Sequence, residues 1–407
     1  MTNKGLKMSN NTITAAKGFK AAGVSCGVKR SGNKDLAIIV CPDGAKAAAM
    51  FTTNKIVSAA VVTCKKHVKT AKTNAVVINS GNANTCTGEK GIKDASSMCR
   101  EVAEKIGCKT ENVLIASTGI IGEFLPLEKI IAGINEAANQ LDDSAQAGLN
   151  FAHAIMTTDT KAKQAVAAVK INGKTVTIAG TAKGAGMIGP NMATTISVFT
   201  TDVDISKALL AKALKTAIGN SLNKLTVDIH QSTNDTAMIL ASGKAGNKTI
   251  NKTGADYDKF AKALMNVCDS LAKQMALDAE GATKFFKVVV NQAASKAEAA
   301  KAARAVADYP LVKCAIHGSD PNWGRIICAA GSCGVNLNPD KLKCKIGSIT
   351  VFSNGKPVKF DAKKASKIIS QTEHTITISL GVGKAEDLCY GCDLSNEYIS
   401  INADYHT

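Results

Sequence analysis

The sequence predicts a mixed α/β fold of the layered α+β kind, with sheets packed together and helices outside. Three observations lead there. Short apolar runs bounded by turn residues alternate irregularly with segments of helical period. One dipeptide, Asn172-Gly173, separates two β-prone runs as a hairpin turn. No repeat or low-complexity linker divides the chain, so its units pack tightly.

Taken in order, Asn74 to Asn79 reads as a buried strand, because an apolar run there is bounded by polar residues. Ile92, Ala95, Cys99, Val102 and Ile106 recur at helical spacing, and Gly107 is the stop. A second amphipathic helix carries Leu127, Ile130, Ile131, Ile134, Ala138 and Leu141, with Pro126 where a first-turn proline is tolerated. Residues 166–171 and 174–178 flank Asn172-Gly173, and a type I′ turn needs two residues comfortable at positive φ. Phe260, Leu264, Val267, Leu271 and Met275 mark a long helix, and Ser295-Lys296-Ala297-Glu298 is a capping box opening an Ala-rich one. Ile376, Ile378 and Leu380 alternate as in a strand with one exposed face.

Composition narrows the function. At about 150 residues per domain, 407 residues correspond to two or three structural units, and 45% hydrophobic with 20% charged residues argues against a disordered chain. No apolar run approaches the roughly 18 residues of a membrane span, and the polar start, Met1 to Asn11, lacks an apolar segment after it. A cytoplasmic protein without membrane contact is expected. The net charge of +17 comes almost entirely from dispersed lysines, arginine occurs only at positions 30, 100, 304 and 325, and aromatics are 4%. Nucleic-acid binders cluster arginine with stacking aromatics, so no nucleic-acid partner is expected. The thirteen cysteines read as reduced thiols. Cys389 and Cys392 have metal-ligand spacing but no second pair, so no metal is expected.

Residues 183–202 carry the chemistry. Gly184, Gly186, Gly189 and Pro190 force an irregular backbone just before a β-prone run that begins at Thr194. Glycines alone favour a plain loop entering a strand, and a dinucleotide loop is disfavoured because a strand, not a helix, follows. Hydroxyl chemistry suits the segment better. A threonine at the start of a strand after a strained loop can attack the carbonyl of Ala193, and an N-to-O acyl shift then frees Thr194 as a new N-terminus. Its α-amine, with an ordinary pKa of about 7.7–8.0, can serve as base to the neighbouring hydroxyl without a histidine.

Lys183-Gly184 through Asn191-Met192-Ala193-Thr194 to Thr200-Thr201-Asp202 resembles the self-cleavage segment of the ornithine acetyltransferase family, the arginine-biosynthesis glutamate N-acetyltransferases. Further blocks match in order: residues 17–23, Asn79-Ser80-Gly81-Asn82-Ala83-Asn84, Ser117-Thr118-Gly119-Ile120-Ile121-Gly122, Met156-Thr157-Thr158-Asp159-Thr160, Asn322-Trp323-Gly324-Arg325 and 397–403. They span nearly the whole chain.

The resemblance implies a cut between Ala193 and Thr194, giving chains 1–193 and 194–407 that share one fold, two copies of each in the assembly. It implies ping-pong transfer: Thr194 takes acetyl from N-acetylornithine and passes it to glutamate. Some members also accept acetyl-CoA as donor, and no resident cofactor is implied. Thr118, by its hydroxyl, and Gly119, by its N–H, match the oxyanion hole; without the family match they read as a small-residue turn. Thr157, Lys183, Glu280, Asn402 and the terminal Thr407 match substrate contacts, with Lys183 suited to a carboxylate and Glu280 to an ammonium. A lone lysine or glutamate is ordinarily a solvated surface residue. The sequence departs from the family at Ile229-His230-Gln231, where Gly-Asp-Thr is usual, and conservatively at Ala185 and Thr195. Two rival functions are an N-terminal-nucleophile amidase or aminopeptidase, in which water accepts the acyl group, and a basic nucleic-acid-binding protein.

Overall fold

The structure, a computed structural model, describes residues 11–189 and 195–404. Strands β1 (Lys20–Val24) and β2 (Leu36–Phe51) open it, followed by helix α1 (Ala59–His67) and strand β3 (Thr73–Asn82). Helix α2 (Gly88–Ile106) leads to β4 (Val113–Ile120), and then come α3 (Leu127–Asn139) and α4 (Ala145–Ile155). The hairpin β5 (Lys163–Ile171) and β6 (Lys174–Lys183) precedes β7 (Ile196–Thr201). Next are α5 (Lys207–Asn220), the short β8 (Leu225–Thr226), β9 (Thr236–Ala241) and α6 (Ala255–Leu277). Strand β10 (Phe285–Ala293) is followed by α7 (Lys296–Asp308), α8 (Pro310–His317) and α9 (Trp323–Ser332). The chain closes with β11 (Lys343–Ile346), β12 (Ile349–Ser353), β13 (Lys356–Pro357), α10 (Ala362–Ile369), β14 (Glu373–Ser379), β15 (Ala385–Cys392) and α11 (Asn396–Asp404).

These strands form two sheets. The first runs β4-β3-β2-β9-β7-β6-β5 with β1 against β2, and the second runs β13-β12-β11-β14-β10-β15-β8. Strand β2 makes the first sheet continuous: Leu36–Val40 pairs with β3, Lys46–Phe51 with β9, and the register of its ladder with β3 shifts between Val40 and Ala45. Pro42 sits at that shift, where a residue without an N–H is tolerated. Helices α1, α2 and α3 cover the β3–β4 end, burying Met98, Val102 and Ile130 with Ile78 and Ile115. The apolar stripe Phe260, Leu264, Val267, Leu271 and Met275 of α6 is buried in one cluster with Ile178 and Phe199 of the first sheet and Phe285 and Cys392 of the second. Helix α6 is therefore a layer shared by both sheets.

Local signals read from the sequence are realised. Asn172 and Gly173 both have positive φ, 48° and 74°, as a type I′ turn requires. Gly107 ends α2 in the left-handed conformation at φ 71°. The capping box on α7 is only half formed. The Ser295 hydroxyl accepts from the Glu298 N–H, but Glu298 Oε1 accepts from the Asn336 N–H of the loop after α9 instead of reaching back. Leu141 lies beyond the end of α3, and Pro126 flanks that helix just before its first turn. All thirteen cysteines are free thiols. Burial pushes Cys389 up to about 12, and its Sγ lies 3.0 Å from the Lys224 carbonyl, so it is an inert packing group. Among the described residues no cluster of three His, Cys, Asp or Glu side chains is placed to hold a metal ion, and no helix is long and apolar enough to cross a membrane.

His374 on β14 carries a pH signature. Its ring stacks on Phe286 at 5.9 Å and is buried. Burial holds its pKa at about 4, against an ordinary 6.5. Between these values the unfolded chain binds a proton that the folded chain refuses, so stability is lost as pH falls from 6.5 towards 4. Linkage over that interval is worth about 3 kcal/mol. The expected result is that His374→Leu flattens the melting temperature across this range, measured by circular dichroism.

Candidate active site

The site forms where the ends of β4 and β6 and the starts of β7 and β9 converge with the loops after α4 and α6. Thr118 and Gly119 stand near the C-terminal end of β4, which pairs in parallel with β3. The ladder slips there, with shifts at Gly81 and Asn82, and the slip turns the β4 end away from regular pairing. Gly119 has φ 131°, and a Cβ added to it would lie 2.2 Å from the Gly81 carbonyl carbon and 2.4 Å from the Asn82 nitrogen. Only glycine fits there, and its backbone lies on the wall of a cavity of about 320 Å³.

Lys183, the last residue of β6, enters the same cavity, its Nζ donating to Thr157 Oγ1 at 3.3 Å. Beneath them lies an ion cluster. Asp159 accepts the Gly184 N–H at 2.7 Å and the Thr157 N–H at 2.9 Å, and it shares the Lys163 ammonium with Asp278. Burial alone would raise the Asp159 pKa, but Lys163, Lys183 and the Gly184 N–H outweigh it and hold the carboxyl below its ordinary value. Burial lowers the Lys183 pKa, opposed by the charges of Asp159, Asp235 and Glu280. One carboxylate thus fixes both the Thr157 loop and the turn that follows Lys183.

Glu280 arrives from the loop after α6, is buried, and accepts from Asn402 Nδ2 of α11 at 2.8 Å. Its own N–H donates to the Ala185 carbonyl at 3.0 Å. A Cβ at Gly186 would lie 2.3 Å from the Glu280 carboxylate, so a side chain there would displace it. Asp228 pins the rest of the glycine segment, accepting the Met187 N–H at 2.7 Å and the Ile188 N–H at 2.9 Å, and the Tyr398 hydroxyl donates to it at 3.3 Å. Burial raises the Asp228 pKa.

The departure at Ile229-His230-Gln231 has a backbone consequence. Ile229 has φ 63°, a conformation that a β-branched residue reaches only under strain, and its side chain is 60% exposed, so little packing offsets the cost. The expected result is that Ile229→Gly stabilises the fold by about 0.5–1 kcal/mol, the relieved strain less the added chain entropy, read as a higher urea midpoint. His230 lines the cavity beside Asp228.

The cavity therefore gathers Thr118, Gly119, Thr157, Lys183, Glu280 and Asn402, all expected from the sequence. Ala193 and Thr194, and the terminal Thr407, lie outside the described residues. The neighbour of Thr194, Thr195, lines the cavity, with its buried hydroxyl unpartnered among the described residues. Sequence reading missed Asp159, Asp228, Asn234, Asp235 and Tyr398. Asp159 and Tyr398 sit inside blocks matched above and the other three near the Ile229-His230-Gln231 departure, but nothing in a polar residue's neighbours along the chain says which distant segment it binds. The arrangement offers a cation for a carboxylate, an anion for an ammonium, and a hydroxyl with a glycine backbone for a developing oxyanion.

Comparison with known proteins places the whole chain in a family. The ArgJ family model matches residues 20–407. A protein of Caldanaerobacter subterraneus subsp. tengcongensis named arginine biosynthesis bifunctional protein ArgJ is 44% identical over 406 residues, 99% of this chain and 100% of that protein. A protein of the same name from Symbiobacterium thermophilum is 44% identical over 397 residues, 97% of this chain and 98% of its own. Among solved structures, the Bacillus halodurans protein of that name is 39% identical with a TM-score of 0.49, covering 51% of this chain and 97% of that chain. The Mycobacterium tuberculosis ornithine acetyltransferase complexed with ornithine is 35% identical with a TM-score of 0.41, covering 45% of this chain and 97% of that one. With a family model spanning nearly all of the sequence and full-length relatives at 44% identity, the chain belongs to the ArgJ family.

Proposed function

We propose that this chain is an acyltransferase of arginine biosynthesis that moves acetyl from N-acetylornithine to glutamate through an acetyl-Thr194 enzyme. The observation that carries the reading is the meeting of Thr118, Gly119, Thr157, Lys183, Glu280 and Asn402 on one cavity that Thr195 also lines. Lys183 holds the substrate α-carboxylate, and Glu280 meets an ammonium. Thr194 Oγ attacks the acetyl carbonyl while its own α-amine takes the hydroxyl proton, and the oxyanion forms against Thr118 Oγ1 and Gly119 N–H. The C–N bond then breaks, the proton passes to the leaving amine, and ornithine departs. The glutamate amine attacks the ester in turn and restores the free hydroxyl.

Thr194 becomes an N-terminus when its hydroxyl displaces its own amine from the Ala193 carbonyl and water hydrolyses the resulting ester, leaving a carboxylate on Ala193 and a free hydroxyl on Thr194, and fragments 1–193 and 194–407 stay together. Strand β6 pairs with β7 from Lys183↔Ile196 to Ile178↔Thr201, and β2 pairs with β9, so one sheet is built from both sides of the cut. Parting them would expose buried apolar surface at about 25 cal/mol per Å². Two copies of each fragment form the assembly, in the cytoplasm. The reading is tested by incubating purified protein with N-acetylornithine and glutamate. Ornithine and N-acetylglutamate in equal amounts support it, whereas dominant release of acetate replaces it with an amidase. A parallel incubation with acetyl-CoA and glutamate separates a bifunctional enzyme, which makes N-acetylglutamate there too, from a monofunctional one.

A further inference from the structure

Asn234 stands just before β9, 5% exposed, on the wall of the same cavity. Its amide is fully used. Nδ2 donates to the Ala83 carbonyl at 2.6 Å and to the Ser117 carbonyl at 2.7 Å, and Oδ1 accepts from the Thr85 hydroxyl at 2.8 Å and from the Thr233 hydroxyl. Both carbonyls belong to the part of the chain before the glycine-rich segment, whereas Asn234 comes after it. The Ser117 carbonyl shares its peptide plane with the Thr118 N–H. On the other side the Ala83 N–H donates to the Ile120 carbonyl at 2.9 Å. The two bonds from Asn234 therefore grip the backbone on both flanks of Thr118-Gly119.

We propose that Asn234 is a positioning residue of the oxyanion hole: its side-chain amide, by tying the start of β9 to the Ser117 and Ala83 carbonyls, fixes where the Thr118 hydroxyl and the Gly119 N–H point. The proposal rests on the reading that Thr118 and Gly119 hold the oxyanion. Donors stabilise a developing charge only when held in place before it forms, and a slack of a few tenths of an ångström forfeits much of the effect. The Gly81–Asn82 slip makes this backbone irregular, so ladder bonds alone do not hold it. Asparagine suits the post because it offers two donors and an acceptor oxygen at once, where aspartate offers no donor. Because the bonds cross the Ala193/Thr194 boundary, neither fragment alone has an ordered hole.

The test is a double-mutant cycle on cleaved enzyme, with kcat and KM measured for acetyl transfer from N-acetylornithine to glutamate. Thr118→Ala lowers kcat by about 10²–10³-fold. Asn234→Ala lowers kcat by about 10–100-fold with KM within about 3-fold, and the double variant falls no further than about 3-fold below the weaker single variant, because both act on one device. Should Asn234→Ala fail to fold, Thr85→Val removes one bond to the same amide at constant volume. It lowers kcat by about 3–10-fold, and Thr85→Ser restores it. Losses that multiply in the double variant, a change confined to KM, or an unchanged kcat in Thr85→Val overturn the role of Asn234. An unchanged kcat in Thr118→Ala, with Asn234 intact, overturns the oxyanion reading instead.

Discussion

Replacing Thr194 with alanine leaves the chain as one uncut 407-residue polypeptide and its acetyl-transfer rate at background. In the proposed mechanism both losses have one cause, since the hydroxyl that attacks the Ala193 carbonyl is the hydroxyl that later carries acetyl. Serine at this position keeps both reactions and slows them, because the nucleophile remains while the methyl group that restricts its rotamer is gone. Denaturing gel electrophoresis reads the first effect and the transfer assay the second. The fold persists, because β6, β7 and β9 pair through residues on either side of the change. A Thr194→Ala chain that is still cut, or still transfers acetyl, contradicts the assignment.

Lys183→Met lowers kcat/KM by about 10²–10³-fold, mostly through KM. The ammonium sits 3.3 Å from Thr157 Oγ1 in the field of Asp159, Asp235 and Glu280. Removing one member of a buried charge set costs about 2–5 kcal/mol, much of it from the partners left uncompensated. Asp159 keeps Lys163 as partner in the variant, so the loop beneath holds and the loss is one of binding. The sign of the Asp159 shift sets the acid limit. A carboxyl held below its ordinary value of about 3.9 contributes stability above that pH and loses it as pH falls further, so the Thr157 loop loosens only below about pH 4.

What the sequence reveals of the fold is what local physics decides. Asn172-Gly173 turns because both residues tolerate positive φ, Gly107 stops α2 for the same reason, and the α6 stripe is buried whole because 3.6-residue spacing puts it on one face. The half-formed capping box shows the limit: the Glu298 carboxylate had a competing partner, the Asn336 N–H, 38 positions away. The site is less legible still. Residues 118, 157, 183, 280 and 402 meet only because β3 and β4 run parallel and β6, β7 and β9 adjoin, and no local spacing encodes such pairing. Resemblance supplied those residues. It did not supply Asp159 or Asn234, whose roles exist only as bonds to distant backbone.

The most direct measurement is denaturing mass spectrometry of active protein mixed with N-acetylornithine alone and quenched in acid. The account predicts two fragments, residues 1–193 and 194–407, with the mass of one acetyl group added to the second only and lost when glutamate is supplied before the quench. An intact chain in a fully active sample, or acetyl carried by the first fragment, contradicts it.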